Sequence, residues 1–183
     1  MNDYSPISPE KNQEIYQKGS EQYNFVKNDL EKAASNPNVD WIIVSHHSQK
    51  YASTWGKILH SVDEWADIYH PLFEEYDVDL VLQAHQHNYQ RTFPIKHNIE
   101  NPDRPIVTDT NTRDYFDPSG QIFATVGTAG VQLQDLNGKA YYITTQIIRF
   151  GFLNIDIMKN GATLNATFFS NDGSATDQFI ISK

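Results

Sequence analysis

The stretch DLVLQAHQHNYQRTFP, residues 79–94, holds the strongest structural signal in this sequence. Its apolar segment, residues 80–82, predicts a buried β-strand, and two histidines, His85 and His87, follow shortly after it. Residues two apart in extended backbone project to the same side, so both imidazoles can face one metal ion or two adjacent ones. The stretch therefore predicts a strand with a ligand site at its carboxyl end.

A second stretch, WIIVSHHS at residues 41–48, repeats the pattern of an apolar strand followed by histidines. Between the two strands, the capping box SVDE at residues 61–64 predicts the start of a helix that runs to about Tyr76. Strand, helix, strand is a βαβ unit with parallel strands. Because open α/β folds bind ligands at the carboxyl ends of their strands, His46 and His47 are expected at the same sheet edge as His85.

The segment before the first histidines predicts helical structure followed by one buried strand. Apolar residues at helical spacing predict helical structure from about Pro9 to Ser35. Gly19 and Ser20 interrupt it, and Ser20 is the expected N-cap of a second helix over residues 21–34. Residues 39–45 are apolar without alternation, which is typical of a strand buried on both faces.

The segment after Pro94 changes character. Residues 96–120 contain several prolines and many Asn and Asp residues, which predicts a long loop. Residues 121–183 predict a β-rich part, with a glycine loop at 127–130 that needs close backbone approach or positive φ, and a hairpin turn at 159–162. We therefore expect a single α/β domain over residues 1–183: a βαβ-based sheet with flanking helices in residues 1–95, then the long loop and the β-rich part.

Composition excludes several classes of function. The 183-residue chain has a net charge of −9 and a pI of about 5.1, which argues against nucleic acid or an anionic membrane as partner. It contains no cysteine, so disulfides and thiolate ligands are absent and the redox compartment stays undetermined. No apolar run approaches the roughly 20 residues that span a bilayer, and the first residues lack the features of a signal peptide.

Three histidines are the candidate metal ligands: His47, His85 and His87. Converging at one sheet edge, they would form a catalytic zinc site with an open position for water. Polar loop residues that merely follow a strand are the alternative for the His-x-His step. We expect His46 to support the site or to face solvent, since of two adjacent histidines usually one points inward.

Two further residues are candidates for catalysis. His60 lies on the loop that leads to the predicted helix, where it could act as a general acid near a leaving group. Arg91 could bind phosphate, or it could anchor its loop to a backbone carbonyl or a carboxylate. His70 and His97 are expected to be structural or solvated.

The two histidine stretches together resemble the carboxyl-terminal half of the calcineurin-like metallophosphoesterases, and within them the purple acid phosphatase branch. Val44 to His47 matches the family motif V-x-x-H. Ala84 to His87 matches G-H-x-H, and Tyr89 to Arg91 matches Y-E-R. The resemblance covers about residues 14–183, and it implies that His47 and His85 bind one metal while His87 binds a second.

The departures from the family pattern concern the metal site. The family glycine is Ala84 and the family glutamate is Gln90. The amino-terminal motifs G-D-x, G-D-x-x-Y and G-N-H-E/D, which supply the acidic ligands, the tyrosine and the phosphate-binding residues, are absent. A full two-metal site is therefore not expected within this chain alone.

These observations predict a metal-dependent phosphoester hydrolase of half length, acting on diesters or activated aryl esters rather than monoesters. The cofactor is a divalent transition metal, one zinc ion first, with iron or manganese as alternatives. Two other interpretations stay open: an inactive metal-binding or interaction fragment, and a chain whose missing ligands come from another polypeptide. Relatives in this branch are often exported, but the sequence leaves the compartment unknown.

Oligomeric state is predicted from the apolar strands. The two predicted helices can cover only one face of the sheet, which leaves the other face open and apolar. We therefore expect a homodimer, in which a second copy of the chain packs against that face.

Overall fold

The fold is built on a five-stranded mixed sheet. The computed structural model describes residues 16–53, 63–136, 138–158 and 160–183. The strand order in this sheet is β1-β2-β7-β3-β8, with β1, β2 and β7 parallel and β3 antiparallel to both of its neighbours. These strands are β1 (Ile43–Ser45), β2 (Leu80–Gln83), β3 (Tyr89–Thr92), β7 (Ile122–Val126) and β8 (Ile143–Ile147).

The described residues of the first half of the chain include two longer helices. The helix α1 (Glu21–Ala34) begins where the sequence predicts it, and the Ser20 side chain accepts the Tyr23 N–H at 3.1 Å as its N-cap. The helix α2 (Asp63–Glu75) lies between β1 and β2 and contains Pro71. The βαβ unit with parallel strands is thus confirmed, while the start of the predicted capping box lies outside the described residues.

A second sheet forms from the carboxyl-terminal part of the chain. Its strand order is β6-β11-β10-β9. The strands β4 and β5, which come before it in the chain, form a separate two-stranded sheet. A hairpin joins β9 to β10 through Asn160 and Gly161, both at positive φ, as the turn signal predicts. The strands are β4 (Ile95–Lys96), β5 (Ile106–Val107), β6 (Asp114–Phe116), β9 (Gly151–Met158), β10 (Thr163–Ser170) and β11 (Ala175–Ser182).

Both faces of the first sheet are covered. Adjacent residues of β2 pack on opposite faces of the sheet. Val81 packs with Leu72 and Phe73 of α2, whereas Leu80 packs with Leu164 and Phe179 of the second sheet. The expectation that one face stays open is therefore wrong, because the β-rich part folds back over it. The homodimer was inferred from that open face, so this packing removes its physical reason.

Two sequence expectations differ from the fold in detail. The strand after α1 is not buried on both faces. Among the described strands β1 is at the edge of its sheet beside β2, and Ile43 is 38% exposed. The segment 96–120 is not all loop, since it contains β5 and β6, and β6 joins the second sheet beside β11. None of the described helices is both long and apolar enough to cross a membrane.

Candidate metal centre

Parallel pairing brings His47 and His85 together. The ladder between β1 and β2 continues past the strands, because the Ala84 N–H donates to the His47 carbonyl at 3.2 Å. The two loops therefore leave the sheet side by side. As a result, His47 Nε2 and His85 Nδ1 lie 3.3 Å apart.

This 3.3 Å separation suits two nitrogens that ligate one metal ion. Imidazole nitrogens bind zinc at about 2.0–2.1 Å, so two of them in a tetrahedral shell lie about 3.3–3.4 Å apart. In the absence of metal, the same distance allows one ring to donate an N–H to the other. The pair formed by His47 and His85 therefore fits a metal as half of a ligand set.

His87 is oriented by a different part of the chain. Its Nδ1 lies 3.0 Å from the Gln132 carbonyl oxygen, in the loop that follows β7. A carbonyl oxygen only accepts hydrogen bonds, so Nδ1 carries the proton in the neutral ring. The lone pair is then on Nε2, which is the arrangement seen when a histidine ligates a metal through one nitrogen and donates through the other.

The backbone at His85 is strained. Its φ of +65° lies in the left-handed region, which costs a residue with a Cβ on the order of 1–3 kcal/mol. The next residue closes a tight turn, since the Gln86 N–H donates to the Ala84 carbonyl at 2.7 Å. Strain of this kind is common at functional sites, where the surrounding structure holds a side chain in place.

Burial favours the neutral form of two imidazoles in this region, His85 and His46. It lowers the pKa of His85, and positive charge on His47 or His87 would lower it further. Burial also lowers the pKa of His46 to about 4, with a smaller contribution from the charge of His47. Neutral rings keep the lone pairs that a metal requires. His46 is half-buried, so of the two positions expected for it, the supporting one fits better.

The three predicted ligands do not form one compact site. Among the described residues, no group of three or more His, Cys, Asp or Glu side chains is placed to hold a metal ion. The structure pairs His47 with His85 and holds His87 against Gln132. A single three-histidine site is thus absent from this arrangement, because His87 is drawn toward a separate loop.

The proposed phosphate-binding role of Arg91 is wrong. Its side chain is only 1% exposed, and Nε and Nη2 donate to the two carboxylate oxygens of Asp177 at 2.7 and 3.0 Å. The same guanidinium donates to the Tyr115 hydroxyl and the Thr112 carbonyl. Arg91 therefore anchors β3 to the second sheet, which is the alternative role that the sequence allows.

The remaining histidines have separate outcomes. His60 lies outside the described residues, and its role as general acid stays a prediction. His70 is fully buried: its Nδ1 accepts from the Tyr51 hydroxyl at 2.8 Å, and its Nε2 lies 3.2 Å from Gln121 Oε1. The structural role expected for His70 is confirmed.

Two buried glutamines support the histidine loops, and sequence reasoning did not assign them this role. Gln83 Nε2 donates to the Tyr51 carbonyl at 2.8 Å and to Thr125 Oγ1 at 3.0 Å, which holds the loop after β1 against the sheet. Gln83 is a polar residue at the end of an apolar strand, and that contrast was the available signal.

Gln90 supports the other histidine loop. Its Nε2 donates to Gln86 Oε1 at 3.0 Å and to Asn88 Oδ1 at 2.9 Å, while its Oε1 accepts the Ser53 N–H at 2.8 Å. The side chain thus links the His85–His87 loop to the loop after β1. A buried amide can donate and accept at once, whereas the glutamate of the family motif would only accept when ionised.

The amino-terminal part of the chain, which carries the candidate site, matches a known family. Residues 4–89 match the profile of the calcineurin-like phosphoesterases. The amino-terminal part of the chain is therefore similar to the calcineurin-like phosphoesterases. It contains His47, His85 and His87, so the resemblance seen in the two histidine stretches is confirmed.

The relatives of the calcineurin-like region are much longer proteins. Probable inactive purple acid phosphatase 1 of Arabidopsis thaliana is 25% identical over 92% of this chain and 27% of its own length. Purple acid phosphatase 18 of the same plant is 30% identical over 67% of this chain and 30% of its own length. The chain therefore spans less than a third of either protein.

A solved structure supports the same fold. The purple acid phosphatase from yellow lupin (Lupinus luteus) seeds superposes with a TM-score of 0.78 and 27% sequence identity. The match covers 91% of this chain and 29% of the lupin chain. The α/β fold with a β-rich carboxyl-terminal part is thus that of a segment of a purple acid phosphatase.

Proposed function

We propose that this chain is a metal-dependent phosphoester hydrolase module. The observation that carries the proposal is the 3.3 Å separation of His47 Nε2 and His85 Nδ1 in a calcineurin-like region. His47 and His85 would hold one divalent transition metal, with zinc as the first candidate. His87 would offer Nε2 to a second ion or to a ligand of the first.

The chain's own residues supply the imidazole nitrogens and hold them in position. His85 is held by its strained turn, and His87 by its bond to Gln132. When bound, the metal would lower the pKa of a water molecule from 15.7 to roughly 7 and offset charge on phosphoryl oxygens. Further ligands would have to come from residues outside the described ranges or from another polypeptide.

The substrate class follows from charge. The chain carries a net charge of −9, and Arg91 is committed to Asp177 inside the protein. A monoester dianion needs more positive charge near its oxygens than a diester, which carries a single charge. We therefore propose diesters or activated aryl phosphates as substrates.

Metal uptake tests the proposal directly. We expect the wild type to bind zinc with an affinity that falls as pH drops, because protons compete for the imidazoles. His47→Ala and His85→Ala should each weaken binding at least about 100-fold, the upper end of what loss of a supporting residue costs. His97→Ala is the control and should bind as the wild type does. Equal binding by all four proteins, measured by calorimetry and elemental analysis, would refute the site.

Turnover tests the reaction. We expect a nitrophenyl diester to be hydrolysed faster than the corresponding monoester, and a chelator to abolish both activities. If His60 donates a proton to the leaving group, His60→Ala should slow only esters with poor leaving groups. Activity that survives both His47→Ala and His85→Ala would assign the hydrolysis to another site or to a contaminant.

The alternative is an inactive metal-binding or interaction fragment. Two observations favour it: a matched relative carries the name "probable inactive", and among the described residues no third acidic or histidine ligand joins the pair. Metal uptake without turnover of any phosphoester would select this alternative. Turnover that appears only when a second polypeptide is added would instead indicate that the ligands are shared between chains.

A further inference from the structure

The segment 132–134, in the loop after β7, forms a clasp around His87. The Gln134 N–H donates to the His87 carbonyl at 2.9 Å, and the His87 N–H donates to Gln134 Oε1 at 3.2 Å. The His87 ring donates through Nδ1 to the Gln132 carbonyl at 3.0 Å. One residue is therefore held through its backbone donor, its backbone acceptor and its side chain.

Neighbouring contacts bring the clasp close to the histidine loop. Asn88, which is fully buried, donates from Nδ2 to the Gln134 carbonyl at 3.3 Å. The Gly127 N–H donates to the Asn88 carbonyl at 3.2 Å. A Cβ at Gly127 would lie 1.8 Å from the Gln86 carbonyl oxygen, so only glycine permits this approach. The loop after β7 is thus fixed to the segment that carries His85 and His87.

The clasp decides which nitrogen of His87 holds the proton. Were the ring rotated away from Gln132, both tautomers would be accessible, and either nitrogen could present a lone pair. The bond to the carbonyl restricts the proton to Nδ1 and the lone pair to Nε2. Gln134 sets the position of that carbonyl relative to the ring, because it binds the His87 backbone on both sides.

We propose that Gln134 is a positioning residue that fixes the Nδ1–H tautomer of His87 and so presents Nε2 as an electron-pair donor. The consequence for metal binding rests on the function proposed above. The consequence for the tautomer does not, since it concerns the metal-free chain. Residues that orient a ligating histidine typically contribute about 10- to 100-fold to metal affinity.

Three variants separate the contributions. Gln134→Ala removes the side-chain acceptor, and Gln134→Glu keeps an acceptor at the same place. Gln132→Ala is the matched control, because it keeps the carbonyl that binds the ring and removes only a side chain. Long-range ¹⁵N–¹H correlation spectra of the full chain report the His87 tautomer without metal, and zinc titration reports affinity.

We expect a single Nδ1–H tautomer for His87 in the wild type, in Gln134→Glu and in Gln132→Ala, and a mixture in Gln134→Ala. Zinc affinity should fall about tenfold in Gln134→Ala alone. An Nε2–H tautomer or a mixture in the wild type would overturn the proposal, even if Gln134→Ala does not fold. An unchanged tautomer in a folded Gln134→Ala would also overturn it. A fixed tautomer that responds to Gln134 in a chain that binds no zinc would uphold the clasp and refute the proposed function.

Discussion

His85 combines a strained backbone with a ring that faces His47. At φ of +65°, the Cβ of an L-residue crowds the following carbonyl, at a cost of about 1–2 kcal/mol. Glycine would avoid that cost but would lose the imidazole. The presence of histidine at this φ indicates that the site retains the ring at the expense of stability.

A pair of substitutions at His85 measures that strain. Both His85→Ala and His85→Gly remove the ring, but only alanine keeps a Cβ in the left-handed region. We expect the glycine variant to be more stable by about 1 kcal/mol in urea unfolding. At His87, which is not among the residues at positive φ, the order should reverse because glycine loses more entropy on folding. Greater stability of His85→Ala would show that the turn is not strained.

Arg91 shows how burial changes the meaning of a charged residue. Its bond to Asp177 is buried on both sides, whereas the pair formed by Arg149 and Asp172 is more than half exposed. Loss of one partner from a buried pair leaves an uncompensated charge. The same loss at the surface leaves a charge that water can solvate.

The two pairs give a matched test. Asp177→Asn should lower the free energy of unfolding by about 3 kcal/mol, and Asp172→Asn by about 0–1 kcal/mol. Zinc binding should be unchanged in both folded variants, because neither residue reaches the histidines. A weakened metal site in Asp177→Asn, with stability intact, would contradict the purely structural role of Arg91.

At the scale of elements, the sequence predicted those helices and strands whose formation depends mainly on neighbouring residues. The helix α1 was predictable because its N-cap and apolar spacing lie within one segment. The strand β6 was not, since it has only three residues and pairs with β11, which is distant in sequence. The sequence also could not show how much of β1 is buried, because the same apolar residues suit an edge strand or a central strand.

Some contacts of the candidate site were predictable from the sequence and others were not. The meeting of His47 and His85 followed from the rule that parallel strands end at one sheet edge. The attachment of His87 to Gln132 did not, because the contact depends on a loop whose path no periodic pattern encodes. The buried amides of Gln83 and Gln90 were missed for a related reason: a glutamine becomes a support only once its partners are known.

The helix α2 carries a titratable group into the core. His70 is fully buried, and burial lowers its pKa to about 3, with charge on His97 and Lys50 adding to the effect. The ring faces Tyr51 through Nδ1, and its Nε2 lies 3.6 Å from Glu74 Oε1. His70 is therefore neutral in the folded protein at pH values where the unfolded chain binds a proton.

This difference predicts acid sensitivity. The folded pKa of His70 lies below its unfolded value of 6.5, so its contribution to stability is complete above pH 6.5 and is lost as pH falls toward about 3. Within that window one proton contributes up to about 1.4 kcal/mol per pH unit. We expect His70→Gln to reduce the slope of unfolding free energy between pH 7 and 5, measured in urea. Parallel slopes for the two proteins would contradict a neutral buried His70.

At the scale of the whole molecule, the chain covers its own sheet. The second sheet buries Leu80 and Ile122 on one side, while the helices bury Val81 and Phe123 on the other. Arg91 and Asp177 add a charged contact that joins β3 to β11. Because both polar and apolar contacts join the first sheet to the second sheet, we expect the two sheets to unfold as one unit.

The interface between the sheets can be tested at Phe179. This side chain is fully buried among Leu164, Ala166 and Ile181, and the guanidinium of Arg91 lies 4.6 Å from its ring centroid. Phe179→Ala should therefore cost about 3–5 kcal/mol, since it leaves a cavity between the sheets and removes the cation–π contact.

Phe116 is the control for Phe179, because it lies in the same sheet and is 80% exposed. Phe116→Ala should change the free energy of unfolding by less than about 0.5 kcal/mol. Near-UV circular dichroism and far-UV circular dichroism should report the same transition for every variant, because a shared core makes unfolding cooperative. Two separate transitions in Phe179→Ala, with the first confined to the second sheet, would show that the first sheet is stable with one face exposed. That outcome would restore the physical reason for a homodimer, in which a second copy covers the exposed face.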